Sequence, residues 1–466
     1  MASGEYDVAV IGGGSAGFAA ARTCAKAGLR TVVIEGGKEV GGLCILRGCM
    51  PTKALLYSAE IVHLAKNGIV FGLCPADANF SWTDILARKD RLIAEFADYR
   101  KHQLENGSFE FIRANAKFTS PHEIELSDGR TIRAKDYVIA TGSKVAPPPL
   151  DTLEEVGYIT SDEALALKTL PKSMIVLGGG AVAVEFAQLF SRLGVRVTLI
   201  QRSPHILKEE DDEAGETIEN VFRREGMTIF TRTNLLGAWR EGDLKGISFE
   251  YEGQIVRVAA EEILSGLGRI PRTQDLGLDN AGVNLSFDRF LVNSEMRSNV
   301  PHIFGAGDCT GLYEIVHIAI QQGEVAAHNI IHPKDPRQID YRLMTSVVFT
   351  DPQVARVGLT EKEAISEKIP YLAASYPFND HGKSLIMEAR DGFVKLLADP
   401  QSGEILGGCC VGPSGGELIH EIITAMFARM TVAQLAAMPH YHPTLAEIWT
   451  YPAEELADQI PLKPTS

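Results

Sequence analysis

The chain has 466 residues, of which 45% are hydrophobic and 23% are charged, a composition of folded proteins and not of disordered or fibrous ones. At roughly 150 residues per domain, this length is enough for about three domains. The formal net charge of −15 disfavours binding to nucleic acid or to an anionic membrane, because both would repel an acidic surface. We therefore expect no nucleic-acid partner and no membrane partner.

Cysteine usage indicates the compartment. Seven cysteines in 466 residues are too few for a disulfide scaffold, and their number is odd. No apolar run reaches the roughly 18 residues that a membrane span needs, and Met1–Tyr6 has no signal-peptide pattern. We expect a cytoplasmic protein in a reducing compartment.

The N-terminal residues predict a strand–helix–strand unit. Val8–Ile11 is a short apolar run typical of a buried strand, and a glycine-rich turn follows it at once. An alanine-rich helical pattern then ends near Gly28, and a second apolar run over Thr31–Ile34 stops at Glu35. This order is that of a βαβ unit.

Three glycines in the turn have the spacing of a dinucleotide fingerprint. Gly12 permits the tight turn, Gly14 lets backbone amides approach a pyrophosphate, and Gly17 lets the helix pack closely on the strand. Glu35 stands where an acid can bind ribose hydroxyls. Because strand, helix, strand and acid are in register, we predict a nucleotide site rather than an ordinary turn.

Cys44 and Cys49 form a close pair after this unit. Five residues of regular helix rise about 7.5 Å, which exceeds the roughly 7 Å between Cα atoms that a disulfide tolerates. A bridge therefore requires a break in the helix, which Gly48 permits, and Pro51 suits the first turn of a following helix. A thiolate near that helix N-terminus would be a good nucleophile. We predict a redox-active pair rather than two buried structural cysteines.

A second strand–helix–strand pattern lies in the middle of the chain. The strand Met174–Leu177 leads into Gly178 and Gly180, and Ala183 replaces the third glycine of the fingerprint, a variant that the pattern allows. A helix and the strand Val195–Ile200 complete the unit. Two such units imply two dinucleotides, and the simplest assignment is FAD in the first and a nicotinamide in the second.

The residues after the strand Val195–Ile200 bear on the choice of nicotinamide. An acid here would favour NAD, whereas Gln201 followed by the cation Arg202 favours the 2′-phosphate of NADP. Lys208 could add a second cation. We favour NADP(H) over NAD(H), although the acidic run after Lys208 also fits an ordinary solvated strand end.

A histidine and an acid near the C-terminus form a candidate acid–base pair. His442 precedes a proline, and Glu447 follows five residues later. Histidine titrates near neutrality, as proton transfer at a dithiol requires, and a carboxylate on the other ring nitrogen would fix its tautomer. Alone, a histidine before proline is more often a helix-start residue without a catalytic role.

Motifs along nearly the whole chain resemble those of the flavin-dependent pyridine nucleotide–disulfide oxidoreductases. The cysteine segment resembles the redox-active segment of that family, and the second glycine turn resembles its nicotinamide loop. Together the motifs are highly specific. The matching segments are Gly41–Lys53, Val138–Ser143, Gly178–Glu185, Gly268–Pro271, Ile303–Asp308, Thr350–Thr360 and His442–Glu447.

The resemblance implies roles for the residues around the cysteine pair. Cys49 would lie against the flavin and make the charge-transfer contact, and Cys44 would exchange with the substrate. Lys53 would lie near flavin N5, paired with Glu185 from the second unit. The remaining contacts to FAD would come from Thr141, Gly142, Gly268, Arg269 and Asp308, the last of which would hold the ribityl chain.

The resemblance also implies that His442 acts as the acid–base, with Glu447 as the residue that orients it. In the family this pair comes from the other subunit. We therefore expect a homodimer with shared active sites.

The expected architecture is an α/β protein with two Rossmann-like dinucleotide-binding domains and a C-terminal α+β interface (dimerisation) domain. Breaks at Pro147–Pro149, near Gly268–Pro271 and at Pro333–Pro336 separate the parts. The predicted domains are an FAD-binding domain with the redox-active disulfide at 1–149, an NAD(P)-binding domain at 150–270, a central domain that completes the FAD site at 271–345, and the interface domain at 346–466.

Members of the family differ in the disulfide that they reduce. Arg22 lies where glutathione reductases have a carboxylate-binding arginine, but Glu324 takes the place of another and would repel glutathione. His317 resembles a histidine of dihydrolipoyl dehydrogenases, and a neutral lipoyl group needs no cationic pocket. We expect a dihydrolipoyl-dehydrogenase-like enzyme that acts on a small-molecule disulfide or a lipoyl-carrier protein, without a metal.

Two alternatives stay open. An NADPH-dependent glutathione- or mercuric-reductase-like enzyme fits Gln201 and Arg202. However, the tail Pro461–Ser466 lacks the vicinal cysteines of mercuric reductases, and the vicinal pair Cys409–Cys410 lies in a strand-like stretch. A flavin-dependent transhydrogenase or quinone reductase would keep the fold, but it would not need the two redox cysteines and His442 together.

Overall fold

A computed structural model describes residues 4–74 and 79–460. The tail Pro461–Ser466 and the first three residues of Met1–Tyr6 lie outside the described residues. The chain forms two compact units, of which unit 1 comprises the described parts of 1–54, 83–147 and 268–340. Unit 2 comprises the described parts of 55–82, 148–267 and 341–466. No helix within 4–74 and 79–460 is long and apolar enough to cross a membrane.

The first half of the chain holds the elements of both glycine turns. Up to residue 147 the strands are β1 (Gly4–Ile11), β2 (Thr31–Glu35), β3 (Glu110–Arg113), β4 (Ala116–Ser120), β5 (Glu123–Leu126), β6 (Thr131–Ile139) and β7 (Ser143–Val145). The helices are α1 (Ser15–Lys26), α2 (Leu43–Arg47), α3 (Cys49–Asn67) and α4 (Trp82–Glu105). Residues 148–267 follow with α5 (Asp151–Val156), α6 (Ser161–Ala164), β8 (Ser173–Leu177), α7 (Ala181–Arg192), β9 (Arg196–Ile200), α8 (Asp212–Arg224), β10 (Thr228–Phe230), β11 (Asn234–Glu241), β12 (Leu244–Tyr251), β13 (Gln254–Ala260) and β14 (Glu262–Ser265).

The second half completes unit 1 and then unit 2. Residues 268–340 hold β15 (Arg269–Pro271), β16 (Leu285–Ser286), β17 (Arg289–Phe290), β18 (Ile303–Gly305) and α9 (Val316–Ile331). The last part holds β19 (Thr345–Val348), β20 (Gln353–Gly358), α10 (Glu361–Glu367), β21 (Leu372–Pro377), α11 (Gly382–Ile386), β22 (Phe393–Ala398), β23 (Ile405–Gly412), α12 (Gly415–Phe427), α13 (Val432–Ala436) and α14 (Thr450–Gln459).

A mixed sheet forms the centre of unit 1. Its strand order is β3-β2-β1-β6-β5-β4, and β18 also pairs with β6. The strands β3, β2, β1, β6 and β18 run parallel, with Val10 opposite both Val33 and Val138. All three valines are fully buried, because the strands of a parallel sheet are covered on both faces.

Unit 2 contains one parallel sheet and two antiparallel ones, of which the smaller has the order β11-β12-β13. The parallel sheet has the order β10-β9-β8-β14 and carries the second glycine turn at the end of β8. The antiparallel sheet of the C-terminal part has the order β19-β20-β23-β22-β21. Its core includes Trp449 and Phe378, both fully buried.

The predicted α/β class with Rossmann-like sheets is confirmed, whereas the predicted domain boundaries stay a prediction. The motif Val138–Ser143, which resembles the family's strand that closes the FAD domain, is not one continuous strand here. The strand β6 ends at Ile139, because the chain turns at Gly142, whose φ is +72°. The short strand β7 then begins at Ser143 and pairs with β15.

Candidate active site

The first glycine turn joins β1 to α1 and leaves the N-terminus of the helix open. Gly12 has a φ of +108°, which favours glycine. A Cβ on Gly17 would lie 1.9 Å from the carbonyl oxygen of Gly12, whereas a Cβ on Gly14 would meet no atom of the described residues within 4 Å. No described side chain caps the helix at Gly14. The first N–H groups of α1 can therefore bind an anion.

Glu35, at the end of β2, lies beside this turn. Its Oε2 accepts a hydrogen bond from the N–H of Gly13 at 2.8 Å, and its Oε1 accepts one from the N–H of Gly37 at 2.6 Å. These bonds fix the carboxylate, whose other lone pairs can accept ribose hydroxyls. An open helix N-terminus next to a fixed carboxylate fits the diphosphate and the ribose of FAD.

Asp308 and Arg269 are joined through a serine that the sequence analysis did not single out. The hydroxyl of Ser143 donates to Asp308 Oδ2 at 2.7 Å, and Arg269 Nε donates to the same hydroxyl at 2.8 Å. The pairing of β7 with β15 brings these residues together. Ser143 was missed because a lone serine at a strand start carries no signal of its own.

Three more residues that the resemblance assigned to FAD, namely Gly142, Gly268 and Thr141, lie in the connections around β7 and β15. Gly142 and Gly268 have φ values of +72° and +112°, so glycine is favoured at both. The Thr141 hydroxyl donates to the carbonyl oxygen of Arg272 at 2.5 Å. This hydrogen bond holds the segment that precedes Ser143 in place.

The second glycine turn joins β8 to α7 with the same φ of +108°, at Gly178. A Cβ on Gly180 would have no atom of the described residues within 4 Å. Ala183 is tolerated where the first unit needs Gly17, because the residue that faces it is Gly266. A Cβ on Gly266 would lie 2.8 Å from the Cβ of Ala183. This turn therefore also leaves a helix N-terminus accessible to an anion.

The end of β9 presents an amide where NAD-binding units have an acid. Gln201 is 9% exposed, and its Oε1 accepts the backbone N–H of Arg202 at 3.0 Å. The Arg202 side chain is exposed. Lys208 Nζ lies 3.1 Å from Glu209 Oε1 in an exposed ion pair, which contributes little and can open.

The cysteine pair lies on two helices that are separated by a break at Gly48. Cys44 is on α2 and Cys49 begins α3. A Cβ on Gly48 would lie 3.1 Å from the Cα of Cys44, a tight approach that glycine relieves. Both cysteines are thiols, and their side chains are hydrogen-bonded to each other. This bond, together with burial, raises the pKa of Cys44, and the charge of Lys53 opposes the shift.

The cysteine segment packs against the first glycine turn. A Cβ on Gly42, the residue before α2, would lie 3.0 Å from the Cα of Gly14. Cys44 is two residues after Gly42, so the cysteine lies close to the turn that suits FAD.

Two arginines lie near Phe18 in the same unit. The Arg100 guanidinium is 4.2 Å from the centroid of the Phe18 ring, and that of Arg22 is 5.8 Å from it. Arg22 also pairs with Glu324 at 3.2 Å. Burial lowers the pKa of Arg100, and the charge of Cys44 acts in the opposite direction. The sequence analysis missed Arg100, because one arginine on a long helix forms no motif.

Lys53 and Glu185 belong to different compact units, and their pairing stays a prediction. Lys53 lies on α3, and Glu185 lies on α7. Glu185 is 3% exposed, and its Oε1 accepts the backbone N–H of Phe349 at 2.9 Å.

His442 and Glu447 lie together, as the resemblance to the family implied. His442 Nδ1 lies 3.0 Å from Glu447 Oε2, which makes Nδ1 the donor and leaves Nε2 for proton exchange. The His442 side chain is 77% exposed, whereas that of Glu447 is 12% exposed. The other Glu447 oxygen lies 3.3 Å from Nε2 of His381, which the sequence analysis did not find.

Known proteins match the chain over nearly its whole length. The family model described as pyridine nucleotide-disulphide oxidoreductase matches residues 6–323, and the model of the corresponding dimerisation domain matches residues 344–453. The chain is 35% identical to a dihydrolipoyl dehydrogenase of Thermus scotoductus over 460 residues, 97% of this chain and 98% of the relative. It is 32% identical to the mitochondrial dihydrolipoyl dehydrogenase of Schizosaccharomyces pombe over 454 residues, 96% of this chain and 88% of the relative.

Two solved structures share the fold. The crystal structure of LpdA from Mycobacterium tuberculosis has a TM-score of 0.86 at 27% identity, covering 97% of this chain and 99% of that one. The flavoprotein disulfide reductase RclA from Escherichia coli has a TM-score of 0.85 at 24% identity, covering 96% and 99%.

Proposed function

Because the chain belongs to the pyridine nucleotide-disulphide oxidoreductases and is a flavoprotein disulfide oxidoreductase, we propose that it works like a dihydrolipoyl dehydrogenase. Electrons pass between a pyridine nucleotide and a disulfide or dithiol substrate through FAD and the pair Cys44 and Cys49. One observation carries this proposal: the two thiols are hydrogen-bonded to each other, in a segment that packs on the glycine turn that suits FAD.

The cysteine pair exchanges with the substrate in two steps. Bound FAD would supply the two-electron carrier between the nicotinamide and this pair. In the direction of disulfide reduction, the Cys44 thiolate attacks one substrate sulfur, so that a mixed disulfide forms and the substrate S–S bond breaks. The released thiolate takes a proton from His442. Cys49 then attacks the sulfur of Cys44, which restores the protein disulfide and releases the second substrate thiolate.

We infer that His442 serves the cysteine pair of the other subunit in a homodimer. The match to the dimerisation domain includes both His442 and Glu447. The 77% exposure of the His442 side chain in one chain is what a residue covered by a partner subunit would have. Glu447 on Nδ1 keeps Nε2 directed outward for the proton.

A neutral lipoyl group suits this chain better than glutathione. Glu324 pairs with Arg22, so an arginine that could hold a substrate carboxylate already has an acidic partner. The pair Cys409 and Cys410 lies in β23, where burial raises the pKa of both thiols. Cys410 is fully buried in this strand, so the pair does not favour a mercuric reductase. The low number of cysteines supports a cytoplasmic location.

The second nucleotide is a pyridine nucleotide, and we propose that it is NADP(H). The reason is that the exposed cation Arg202 follows an uncharged, buried Gln201. Arg202→Glu should shift the preference from NADPH toward NADH by about tenfold or more, since one charged hydrogen bond contributes about 1.5–3 kcal/mol. Lys208→Ala is the matched control and should change the ratio less, because its ion pair with Glu209 is solvated. An unchanged ratio in Arg202→Glu would favour NAD(H), in line with a dihydrolipoyl-dehydrogenase-like enzyme.

Steady-state rates test the substrate class. NADH and NADPH are each paired with lipoamide, glutathione disulfide and a quinone. We expect lipoamide to be reduced fastest, and Cys44→Ser to abolish this reaction. Quinone reduction or transfer between nicotinamides that is equal in the wild type and in Cys44→Ser, with no disulfide reduction in either, would instead support a transhydrogenase or quinone reductase.

A further inference from the structure

We propose that His381 is a positioning residue for the acid–base pair, because it holds one oxygen of Glu447 while the other oxygen contacts His442. This inference rests on the function proposed above for His442. It deepens that function, since it explains how a carboxylate between the protein core and an exposed ring keeps one orientation.

The geometry places Glu447 between two histidines. Glu447 Oε2 lies 3.0 Å from His442 Nδ1, and Glu447 Oε1 lies 3.3 Å from His381 Nε2. The first histidine is exposed, and the second is fully buried. His381 immediately precedes α11, about 60 residues before His442, so no local spacing in the sequence connects the two.

Ser384 fixes the tautomer of His381. The Ser384 hydroxyl lies 2.7 Å from His381 Nδ1, and this serine is also fully buried. Burial lowers the pKa of His381, so the ring is neutral at neutral pH and has a single N–H. Because Nδ1 accepts from the serine hydroxyl, this N–H is on Nε2, a buried atom whose 3.3 Å approach to Glu447 Oε1 is a close contact and not a well-aligned hydrogen bond.

The packing around His381 leaves it little freedom. The rings of Phe378 and Tyr451 meet it edge-on, each with a centroid distance of 6.4 Å. Other charged groups on the adjoining elements have their own partners: Tyr376 donates to Asp380 at 3.0 Å, and His440 lies 2.6 Å from Glu421. Besides Glu447 and His442, the titratable groups that the contacts place here are Tyr451, whose ring meets His381, Tyr376, which stacks on Tyr451, and Asp380, which accepts from Tyr376.

His381 therefore limits rotation of the Glu447 carboxylate. A carboxylate held at one oxygen only can turn about its last bond and leave His442. With the buried His381 ring against its second oxygen, the carboxylate stays directed at His442 Nδ1 and keeps the ring in one orientation, as proton exchange at Nε2 requires.

The test measures the tautomer of the His442 ring directly. ¹⁵N-histidine labelling of the FAD-loaded full chain, with the signal assigned through His442→Gln, gives the populations of the two neutral tautomers. Glu447→Gln should reduce the population with the proton on Nδ1, because an amide oxygen is a weaker acceptor than the carboxylate. His381→Leu should reduce it in the same direction by a smaller amount, and it should slow lipoamide reduction about tenfold, less than the 10²–10⁴-fold that the loss of an acid–base group itself costs.

His381→Gln should restore the tautomer population, because the Gln side chain supplies an N–H in nearly the same place. His440→Gln is the matched control, since it removes another histidine–carboxylate pair of the same segment and should leave the tautomer of His442 unchanged. If His381→Leu does not fold, Ser384→Ala keeps the histidine and should give a small change in the same direction. An unchanged or increased population with the proton on Nδ1 of His442 in the variant that folds would overturn the proposal. If the wild type does not reduce lipoamide, the proposed substrate is wrong, but the tautomer measurement still tests His381.

Discussion

A methyl group at Gly17 should destabilise unit 1, because α1 crosses the first glycine turn without room for it. The new Cβ would lie 1.9 Å from the carbonyl oxygen of Gly12. Helix and turn must separate by about 1 Å to remove this overlap, and overpacking of this kind costs about 1–3 kcal/mol. The obstacle is backbone, which cannot rotate away. We expect the Tm of Gly17→Ala to fall by about 2–12 °C.

Gly14→Ala should leave the stability of unit 1 unchanged and weaken the binding of FAD. The space around its Cβ is open to 4 Å among the described residues, so the fold should keep its stability. That space is where the diphosphate of FAD would meet the helix N-terminus. The loss of one charged hydrogen bond, about 1.5–3 kcal/mol, should weaken FAD binding about 10- to 100-fold.

Calorimetry of the apoprotein and flavin-fluorescence titration separate the two effects. Gly180→Ala is the matched control, because its Cβ is equally unobstructed by described atoms but lies on the second turn. It should weaken binding of the pyridine nucleotide and leave the Kd of FAD unchanged. Unchanged FAD affinity in Gly14→Ala, or an unchanged Tm in Gly17→Ala, would refute the reasoning for that glycine.

Three further results are expected. Cys44→Ser should keep FAD bound and reducible by the nicotinamide but lose disulfide turnover, and turnover at the wild-type rate would contradict the role of Cys44. Refolding a mixture of the inactive variants Cys44→Ser and His442→Ala should restore up to half of the activity per heterodimer, whereas no recovery in proven heterodimers would place both residues in one chain's site. Burial raises the pKa of Asp136 to about 6, so its ionised form destabilises the fold above that pH and has no effect below about 3.9. Asp136→Asn should therefore raise the Tm at pH 7.5 and not at pH 3.5, and an equal gain at both would exclude ionisation as the cause.

Local patterns in the sequence predicted the parts of the fold that depend on neighbours in the chain. The strand predicted over Thr31–Ile34 is observed as Thr31–Glu35, and the strand predicted over Val195–Ile200 is observed as Arg196–Ile200. The spacing of Cys44 and Cys49 predicted a break in the helix, and the break is at Gly48. In each case the predicted boundary and the observed boundary differ by at most about one residue.

The site features that sequence reasoning missed depend on distant pairs. A Cβ on Gly266, more than 80 residues after Ala183, would lie 2.8 Å from the Cβ of that alanine, so the alanine requires a distant glycine. Glu324 offsets the charge of Arg22 across 302 positions. His381 contacts Glu447 from another strand–helix connection. No periodicity or spacing within one segment carries such information, so only the folded chain reveals these partners.

The two steps of the proposed chemistry, thiol exchange and proton exchange, place different demands on the positions of their residues. Sulfur atoms must approach from hydrogen-bond to covalent distance and separate again, and Cys44 and Cys49 lie on either side of a glycine break between helices α2 and α3. Proton exchange, in contrast, needs one ring orientation at a fixed place. The Glu447 carboxylate, which is hydrogen-bonded to His442, lies against the fully buried His381 and, through it, Ser384. The proposed chemistry therefore needs a ring of fixed orientation at His442 and two sulfur atoms that can approach each other and separate.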